Sequence, residues 1–118
     1  MSAATATAGA VSTANPGTLS DAGNGRYRLG GAVTMATVTT LRGAGLQAFA
    51  RASGAIEVDL GGVERADSGG LALLIDWLAW ARTERRAMKF SSLPAALLAL
   101  ARLSDVEELL LAAGASDR

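Results

Sequence analysis

Apolar and polar residues follow two different periods along the middle of this chain. Residues 56–60 alternate apolar and acidic side chains, which predicts a strand with one buried face, and Gly61-Gly62 is expected to end it. Residues 37–50 carry large apolar side chains at near-helical spacing, which predicts a helix weakened by Gly43 and Gly45. A helix followed directly by a strand indicates an α/β arrangement.

Further elements continue this alternation. They are two extended pieces within 26–33 that Gly30-Gly31 separates, a helix from Ser68 to about Arg86, a strand at 88–91, and a helix from a Ser92 cap and a first-turn Pro94 to about Leu103. Periodicity leaves 106–111 open between strand and helix. The predicted fold class is α/β, a single domain built around a small mixed sheet.

Composition limits the functions that are open to this domain. The 118 residues suffice for one domain, and 11 basic and 11 acidic residues leave a formal net charge of zero, which disfavours nucleic-acid binding. Cysteine and histidine are absent, which removes disulfides, Cys/His zinc sites and imidazole-based catalysis. The apolar runs are too short to span a bilayer. We expect a protein that is not an enzyme, holds no cofactor and does not insert into the membrane.

The two ends of the chain differ from its middle. Residues 1–25 are rich in Ala, Thr, Ser and Gly, and they are predicted to form a disordered low-complexity tail because they offer little apolar surface to offset the entropy of ordering. Residues 112–118 are assigned to a C-terminal tail, which leaves 26–111 for the domain. The N-terminal segment lacks the basic and continuously apolar parts of a secretory signal, so a cytoplasmic location is expected.

The connection from the strand at 56–60 to the next helix is the most informative segment. Asp67 and Ser68 stand where this helix begins, and either side chain can accept a hydrogen bond from a free backbone N–H of the first turn. Gly69 and Gly70 are expected to expose those donors, so that a partner or an anion can approach closely. Ser68 is thereby placed for phosphorylation or for docking on another protein.

The helix after Ser68 has two apolar sides. One side suits packing on the sheet and comprises Leu71, Leu74, Ile75 and Leu78. The opposite side comprises Leu73, Trp77 and Trp80. Either another element of the domain covers this second side, or it docks on a partner, where tryptophan is a common anchor. The small number of remaining elements favours a partner.

Other polar clusters have simpler explanations. Four carboxylates without a histidine or a recognisable ligand spacing are weak candidates for metal binding or acid/base chemistry: Glu57, Asp59, Glu64 and Asp67. A basic cluster is predicted to be a solvated helix end: Arg82, Arg85, Arg86 and Lys89. The glycine pairs match no phosphate-binding loop.

The strand at 58–60, the loop after it and the run Asp67-Ser68-Gly69-Gly70-Leu71 resemble the signature of STAS domains, over roughly residues 26–111. The resemblance implies a mixed sheet with interleaved helices, and a phosphorylatable or partner-contacting residue at Ser68, directly after Asp67. The runs 67–74 and 97–103 are most similar to the STAS subunit of the Mla system, a bacterial ABC transporter that moves phospholipids between the inner and outer membranes.

This resemblance implies a non-catalytic cytoplasmic subunit that binds the ATPase of the transporter, lies peripheral to the inner membrane through that partner, and supports outer-membrane lipid asymmetry. The expected partner-binding residues are Asp67, Ser68, Gly69, Gly70, Leu73, Trp77 and Trp80. Trp77→Ala or Ser68→Glu is then expected to weaken the complex and leave the domain folded. The alternative is an anti-sigma factor antagonist, in which a kinase that is also an anti-sigma factor phosphorylates Ser68 and switches partners.

Overall fold

The computed structural model describes residues 17–110 of the chain. Strands and helices alternate through this part, and the elements are β1 (Thr18–Gly23), β2 (Arg26–Val33), α1 (Val38–Arg51), β3 (Ile56–Ala66), α2 (Ser68–Thr83), β4 (Met88–Ser91) and α3 (Ala95–Leu103). Residues 107–110 are also helical, which favours the helix for the segment that periodicity left open. None of the described helices is both long enough and apolar enough to cross a membrane.

The strands form one sheet in the order β1-β2-β3-β4. β1 pairs antiparallel with β2, whereas β2 with β3 and β3 with β4 pair in parallel. Helices α1 and α2 make the two connections between parallel strands, because such strands cannot be joined by a tight turn. The predicted α/β domain with a mixed sheet is therefore confirmed.

β1 lies within the segment predicted to be a tail. The prediction of disorder for residues 1–25 is wrong for Thr18–Gly23, whereas 1–16 and the C-terminal tail predicted at 112–118 lie outside the described residues. Backbone pairing with β2 holds this strand, since Leu19 is half-buried and its other residues are exposed. The signal for it was the hairpin dipeptide Asn24-Gly25, whose φ angles of 58° and 78° suit a two-residue turn.

Both β2 and β3 run through glycine pairs that were expected to interrupt them. Gly30-Gly31 does not divide 26–33 into two pieces, and β3 continues past Gly61-Gly62 to Ala66. The register shifts near these glycines, and Gly30 lies opposite Gly62. A Cβ on Gly30 would stand 3.2 Å from the carbonyl oxygen of Gly62, so glycine allows the two irregular backbones to approach closely. The continued pairing carries both strands to the same edge of the sheet.

The two faces of the sheet have opposite character. Alternate residues of β2, β3 and β4 are buried in one core with the helices, and they are Tyr27, Leu29, Ile56, Val58, Leu60, Met88 and Phe90. The residues between them are charged or hydroxylated and are exposed or half-buried: Arg26, Arg28, Glu57, Asp59, Lys89 and Ser91. Charges of opposite sign lie side by side on neighbouring strands, with Arg26 and Glu57 at 3.7 Å. The described helices therefore cover one face of the sheet.

α2 ends earlier than predicted, at Thr83 rather than near Arg86. Arg85 has a left-handed backbone with φ 57°. The N–H groups of Arg85 and Arg86 donate back to the carbonyls of Arg82 and Ala81, at 3.1 and 2.8 Å. This pair of bonds is a Schellman-type helix end, and it turns the chain away from the axis of α2 towards β4.

α3 begins at Ala95 with Pro94 as its N-cap residue. The prediction that Ser92 caps this helix is wrong, because Ser92 has a left-handed backbone with φ 56° and belongs to the turn after β4. No side chain caps the helix, and the fixed φ of proline starts it instead.

Gly45 in α1 allows α2 to pack closely, and Gly43 offers a matched control. A Cβ on Gly45 would stand 2.5 Å from Cε2 and 2.6 Å from Nε1 of Trp77, whereas nothing lies within 4 Å of a Cβ on Gly43. Both alanine variants gain helix propensity, but Gly45→Ala must also displace a buried indole. We expect Gly45→Ala to lower the free energy of unfolding by about 1–2 kcal/mol and Gly43→Ala to raise it by roughly 0.5–1 kcal/mol in urea denaturation. Equal stabilisation by both variants would contradict this packing.

Candidate partner-binding site

The carboxyl ends of β2 and β3 bring two loops together at one edge of the sheet. Val33 at the end of β2 pairs with Ala66 at the end of β3, and the N–H of Asp67 donates to the carbonyl of Val33 at 3.4 Å. Residues 34–37 then lead into α1, while Asp67 leads directly into α2. The Asp67-Ser68 segment therefore lies beside the 34–37 loop.

Asp67 caps α2 and also anchors the neighbouring loop. Its Oδ1 accepts a hydrogen bond from the N–H of Gly69 at 2.8 Å, which confirms the predicted capping. The same carboxylate accepts from the backbone N–H of Met35, at 3.1 Å to Oδ1 and 3.3 Å to Oδ2. Asp67 was expected to contact a partner, but its carboxylate is engaged within the domain. It fixes the start of α2 and the 34–37 loop relative to each other.

Gly69 and Gly70 are buried, and neighbouring parts of the domain occupy the space beside them. A Cβ on Gly69 would stand 2.6 Å from the backbone nitrogen of Met35, and one on Gly70 would stand 2.5 Å from the carbonyl oxygen of Val33. Their N–H groups both donate to Asp67. The prediction that these glycines expose donors to a partner is therefore wrong. Their missing side chains make room for the end of β2 and the loop after it.

Ser68 is the exposed member of the predicted motif. It is the first residue of α2, and its hydroxyl makes no hydrogen bond to another residue of the described part. The N-terminal end of a helix carries a partial positive charge, which suits contact with a polar partner group or attachment of a phosphate. Ser68 is thus the accessible chemical group of this edge.

Met35 is an exposed residue beside the start of α2, and the sequence pattern did not point to it. Its side chain is 66% exposed, and Met35 and Leu103 are the large hydrophobic residues exposed in the described part of the chain. Its Sδ lies 2.9 Å from the position that a Cβ on Gly69 would take, so Met35 stands against the first turn of α2. A lone apolar residue in a loop is a common pattern, and the sequence offered no stronger signal.

The second apolar side of α2 is covered within the domain. Leu73 and Trp77 are fully buried, and Trp77 packs edge-to-face on Phe49 of α1 with ring centroids 5.1 Å apart. The Nε1–H of Trp77 points to the carbonyl oxygen of Arg42 at 3.5 Å. The prediction that Leu73 and Trp77 face a partner is therefore wrong, because α1 crosses this side of α2 and Gly45 leaves space for the indole.

Trp80 lies beside the same aromatic cluster and is half-buried. Its ring centroid is 5.9 Å from that of Phe49, and the guanidinium carbon of Arg86 lies over the Trp80 ring at 5.9 Å from the centroid. Trp80 is also about 18 Å from Ser68 along the axis of α2, at 1.5 Å per residue. The structure therefore does not bring Trp80 and Ser68 together in one compact surface.

The prediction that Arg86 belongs to a solvated helix end is wrong. Its guanidinium donates to the carbonyls of Phe49, Ala52 and Gly54, at 3.3, 2.9 and 2.8 Å. These carbonyls belong to the last turn of α1 and the residues after it. Arg86 therefore satisfies the C-terminal end of a helix that lies far from it in the sequence.

The four carboxylates considered in the sequence analysis do not form a metal-binding group in the described part of the chain. Glu57 and Asp59 lie on the polar face of the sheet, while Asp67 caps α2. Among the described residues, no group of three or more His, Cys, Asp or Glu side chains is arranged to hold a metal ion. The weak candidates from the sequence thus remain separate surface and capping residues.

An open polar depression of about 520 Å³ lies at the opposite edge of the sheet from Ser68, near Asp21, Tyr27 and Arg51. The Tyr27 hydroxyl donates to the carbonyl of Ala48 at 3.1 Å. Burial, followed by the negative charge of Asp21, raises the pKa of Tyr27 above its ordinary value. This phenol therefore stays protonated at neutral pH and is not a candidate general base.

Comparison with known protein families identifies the family of this domain. The family model described as "Mlab, STAS domain" matches residues 19–112. The match begins within β1 and includes every later element, together with Asp67 and Ser68. No curated protein sequence matches the chain.

Proposed function

Since the chain belongs to the STAS domain family, in its Mlab type, we propose that it is an accessory subunit that binds and supports the ATPase of an ABC transporter. STAS domains are generally non-catalytic binding modules. The proposed transporter moves phospholipids and maintains the lipid asymmetry of the outer membrane. The subunit is cytoplasmic in this proposal and reaches the inner membrane through its partner, because a formal net charge of zero provides no electrostatic attraction of its own to anionic lipids.

The exposed Ser68 is the observation that carries this proposal. Its side chain is small and uncharged, and it stands on the first turn of α2 without a hydrogen-bond partner among the described residues. Asp67 holds this turn against the 34–37 loop, so the backbone around Ser68 is already in place before a partner arrives. A protein surface can therefore approach the start of α2 directly.

Binding without catalysis can still alter the activity of an ATPase. If the subunit binds one conformation of the ATPase more tightly than the others, it shifts the population towards that conformation by the difference in affinity. No covalent step or cofactor is required. The subunit supports the transporter by stabilising the assembly that hydrolyses ATP.

A charge at position 68 tests the proposed surface. We expect Ser68→Glu to raise the Kd for the partner ABC ATPase by at least about tenfold, because an unpaired carboxylate would be desolvated against the partner. Isothermal titration calorimetry with the purified ATPase measures the effect. Ser53→Glu is the matched control, since Ser53 is exposed in the loop after α1, at the opposite edge of the sheet.

Two outcomes of this experiment separate the possible failures. Unchanged affinity in Ser68→Glu, with tight binding by the wild type, would place the contact elsewhere on the domain. A wild-type protein that binds no ABC ATPase would contradict the proposed function itself. Ser68→Ala should bind within about threefold of the wild type, because it removes a hydroxyl without adding charge.

A second function is supported by the same exposure of Ser68. An anti-sigma factor antagonist would present this hydroxyl to a kinase that is also an anti-sigma factor, and the phosphate would gain from the helix N-terminus while the Asp67 carboxylate repels it. Incubation with that kinase and ATP, followed by mass spectrometry, distinguishes the two. Phosphate on Ser68 together with loss of a partner would favour the antagonist, whereas unmodified Ser68 under every condition would favour the transporter subunit.

A further inference from the structure

We propose that Met35 is a second partner contact, which forms one surface with Ser68 and enters an apolar pocket on the ATPase. This inference rests on the proposed function, and it specifies that the surface of the ATPase that covers Ser68 also contains an apolar pocket. Met35 lies 66% exposed in the loop between β2 and α1. Single exposed apolar residues are ordinary on protein surfaces, but this one is held by a hydrogen bond to Asp67 and stands against the first turn of α2.

Hydrogen bonds hold the loop so that Met35 stays at the surface. The Met35 N–H donates to Asp67, and the Thr37 hydroxyl accepts from the N–H of Thr34 at 3.0 Å and donates to the carbonyl of Ala32 at 2.8 Å. The N–H of Ala36 is 3.3 Å from the hydroxyl of Thr34. A loop with this many internal bonds does not fold over to bury its methionine. The exposed position is therefore a property of the fold.

Met35 and Ser68 belong to the same patch of surface. The Met35 Sδ lies 2.9 Å from the position of a Cβ on Gly69, the residue that follows Ser68 on the first turn of α2. Any Cβ at position 69 would push the loop away, so Gly69 keeps the methionine next to the serine. A protein surface that covers Ser68 must also meet Met35.

The chemistry of this patch favours a neutral, apolar partner surface. Residues 34–37 carry no charged side chain, and neither do residues 68–72. The one carboxylate between them, on Asp67, is engaged in hydrogen bonds within the domain. An acidic membrane or a nucleic acid would need basic residues here. An unbranched thioether side chain instead suits a hydrophobic pocket on a protein.

Leu103 supplies a matched control on the same molecule. It is 85% exposed, and it is the last residue of α3, a helix about 12 Å long that follows β4 in the chain. Leu103 therefore stands on a different element from Ser68 and from the loop that carries Met35. Its truncation removes a similar apolar area without touching the proposed surface.

Calorimetric titration against the ABC ATPase tests the inference. We expect Met35→Ala and Met35→Gln each to raise the Kd about tenfold, Met35→Leu to bind within about threefold of the wild type, and Leu103→Ala to leave the Kd unchanged. Because the side chain is exposed, the midpoint of urea unfolding should not change in the Met35 variants. Tight binding by Met35→Ala, or an equal loss in Leu103→Ala, would overturn this inference while a weakened Ser68→Glu complex still supported the proposed function. Absence of any complex with the wild type would overturn both.

Discussion

Replacement of Trp77 by alanine is expected to lower the free energy of unfolding by about 3–5 kcal/mol. The indole is fully buried between α1 and α2, and it makes an edge-to-face contact with Phe49 at 5.1 Å. Truncation leaves a cavity that these helices cannot close, because Gly45 offers no side chain to fill it. Urea denaturation followed by circular dichroism measures the loss, and a domain of this size is expected to unfold in one transition.

Trp80 provides the comparison for Trp77. It lies on the same side of α2 but is half-buried, with the guanidinium of Arg86 over its ring. We expect Trp80→Ala to cost about 1–2 kcal/mol, less than half of the effect at Trp77. A Trp77→Ala protein that kept its stability and lost only its affinity for the ATPase would contradict the buried packing. That result would restore the view of Trp77 as an exposed anchor.

Arg86→Ala is expected to lower the free energy of unfolding by about 2–3 kcal/mol. The guanidinium donates to the carbonyls of Phe49, Ala52 and Gly54, which close the end of α1 and the turn after it. Removal of the guanidinium takes this donor away from the carbonyls of Ala52 and Gly54, while that of Phe49 keeps the N–H of Ala52. It also uncovers part of Trp80. The measurement is again urea denaturation, at a protein concentration low enough to exclude association.

Two variants show whether the geometry of Arg86 matters or only its charge. Arg82→Ala removes an exposed cation from the last turn of α2 and should change the stability by no more than about 0.5 kcal/mol. Arg86→Lys keeps the charge but cannot reach three carbonyls with one ammonium group, so we expect roughly half of the loss. Equal stability of Arg86→Ala and the wild type would show that water replaces the guanidinium.

Much of the fold could be predicted because local patterns decide it. Alternation at 56–60 identified the central strand, and the short strand at Met88–Ser91 was predicted with the bounds that the structure has. A side-chain cap at Asp67 or Ser68 was predicted from residue type and position, and the structure has it at Asp67. β1 was missed because backbone hydrogen bonds to β2 hold it and its side chains show no apolar pattern. The turn dipeptide Asn24-Gly25 was the one local signal for it.

The candidate site was harder to predict because several residues depend on contacts distant in sequence. Helical periodicity placed Leu73 and Trp77 on one side of α2 but could not show that α1 covers that side. A glycine pair at 69 and 70 is compatible either with backbone N–H groups exposed to a partner or with close packing inside the domain. The end of β2 and the loop after it pack against both glycines, which the sequence alone could not show. Met35 is held beside α2 by a hydrogen bond to Asp67, which is 32 residues away in the chain, so nothing in the local sequence indicated this position.

The clamp that Asp67 forms has a consequence for the energetics of recognition. With the 34–37 loop and the first turn of α2 joined through one carboxylate, little conformational entropy is left to lose at this edge when a complex forms. Association should then resemble the docking of two rigid bodies, with a small heat-capacity change confined to the contact area and no slow ordering phase. Differences in affinity among surface variants would accordingly appear in the rate of dissociation.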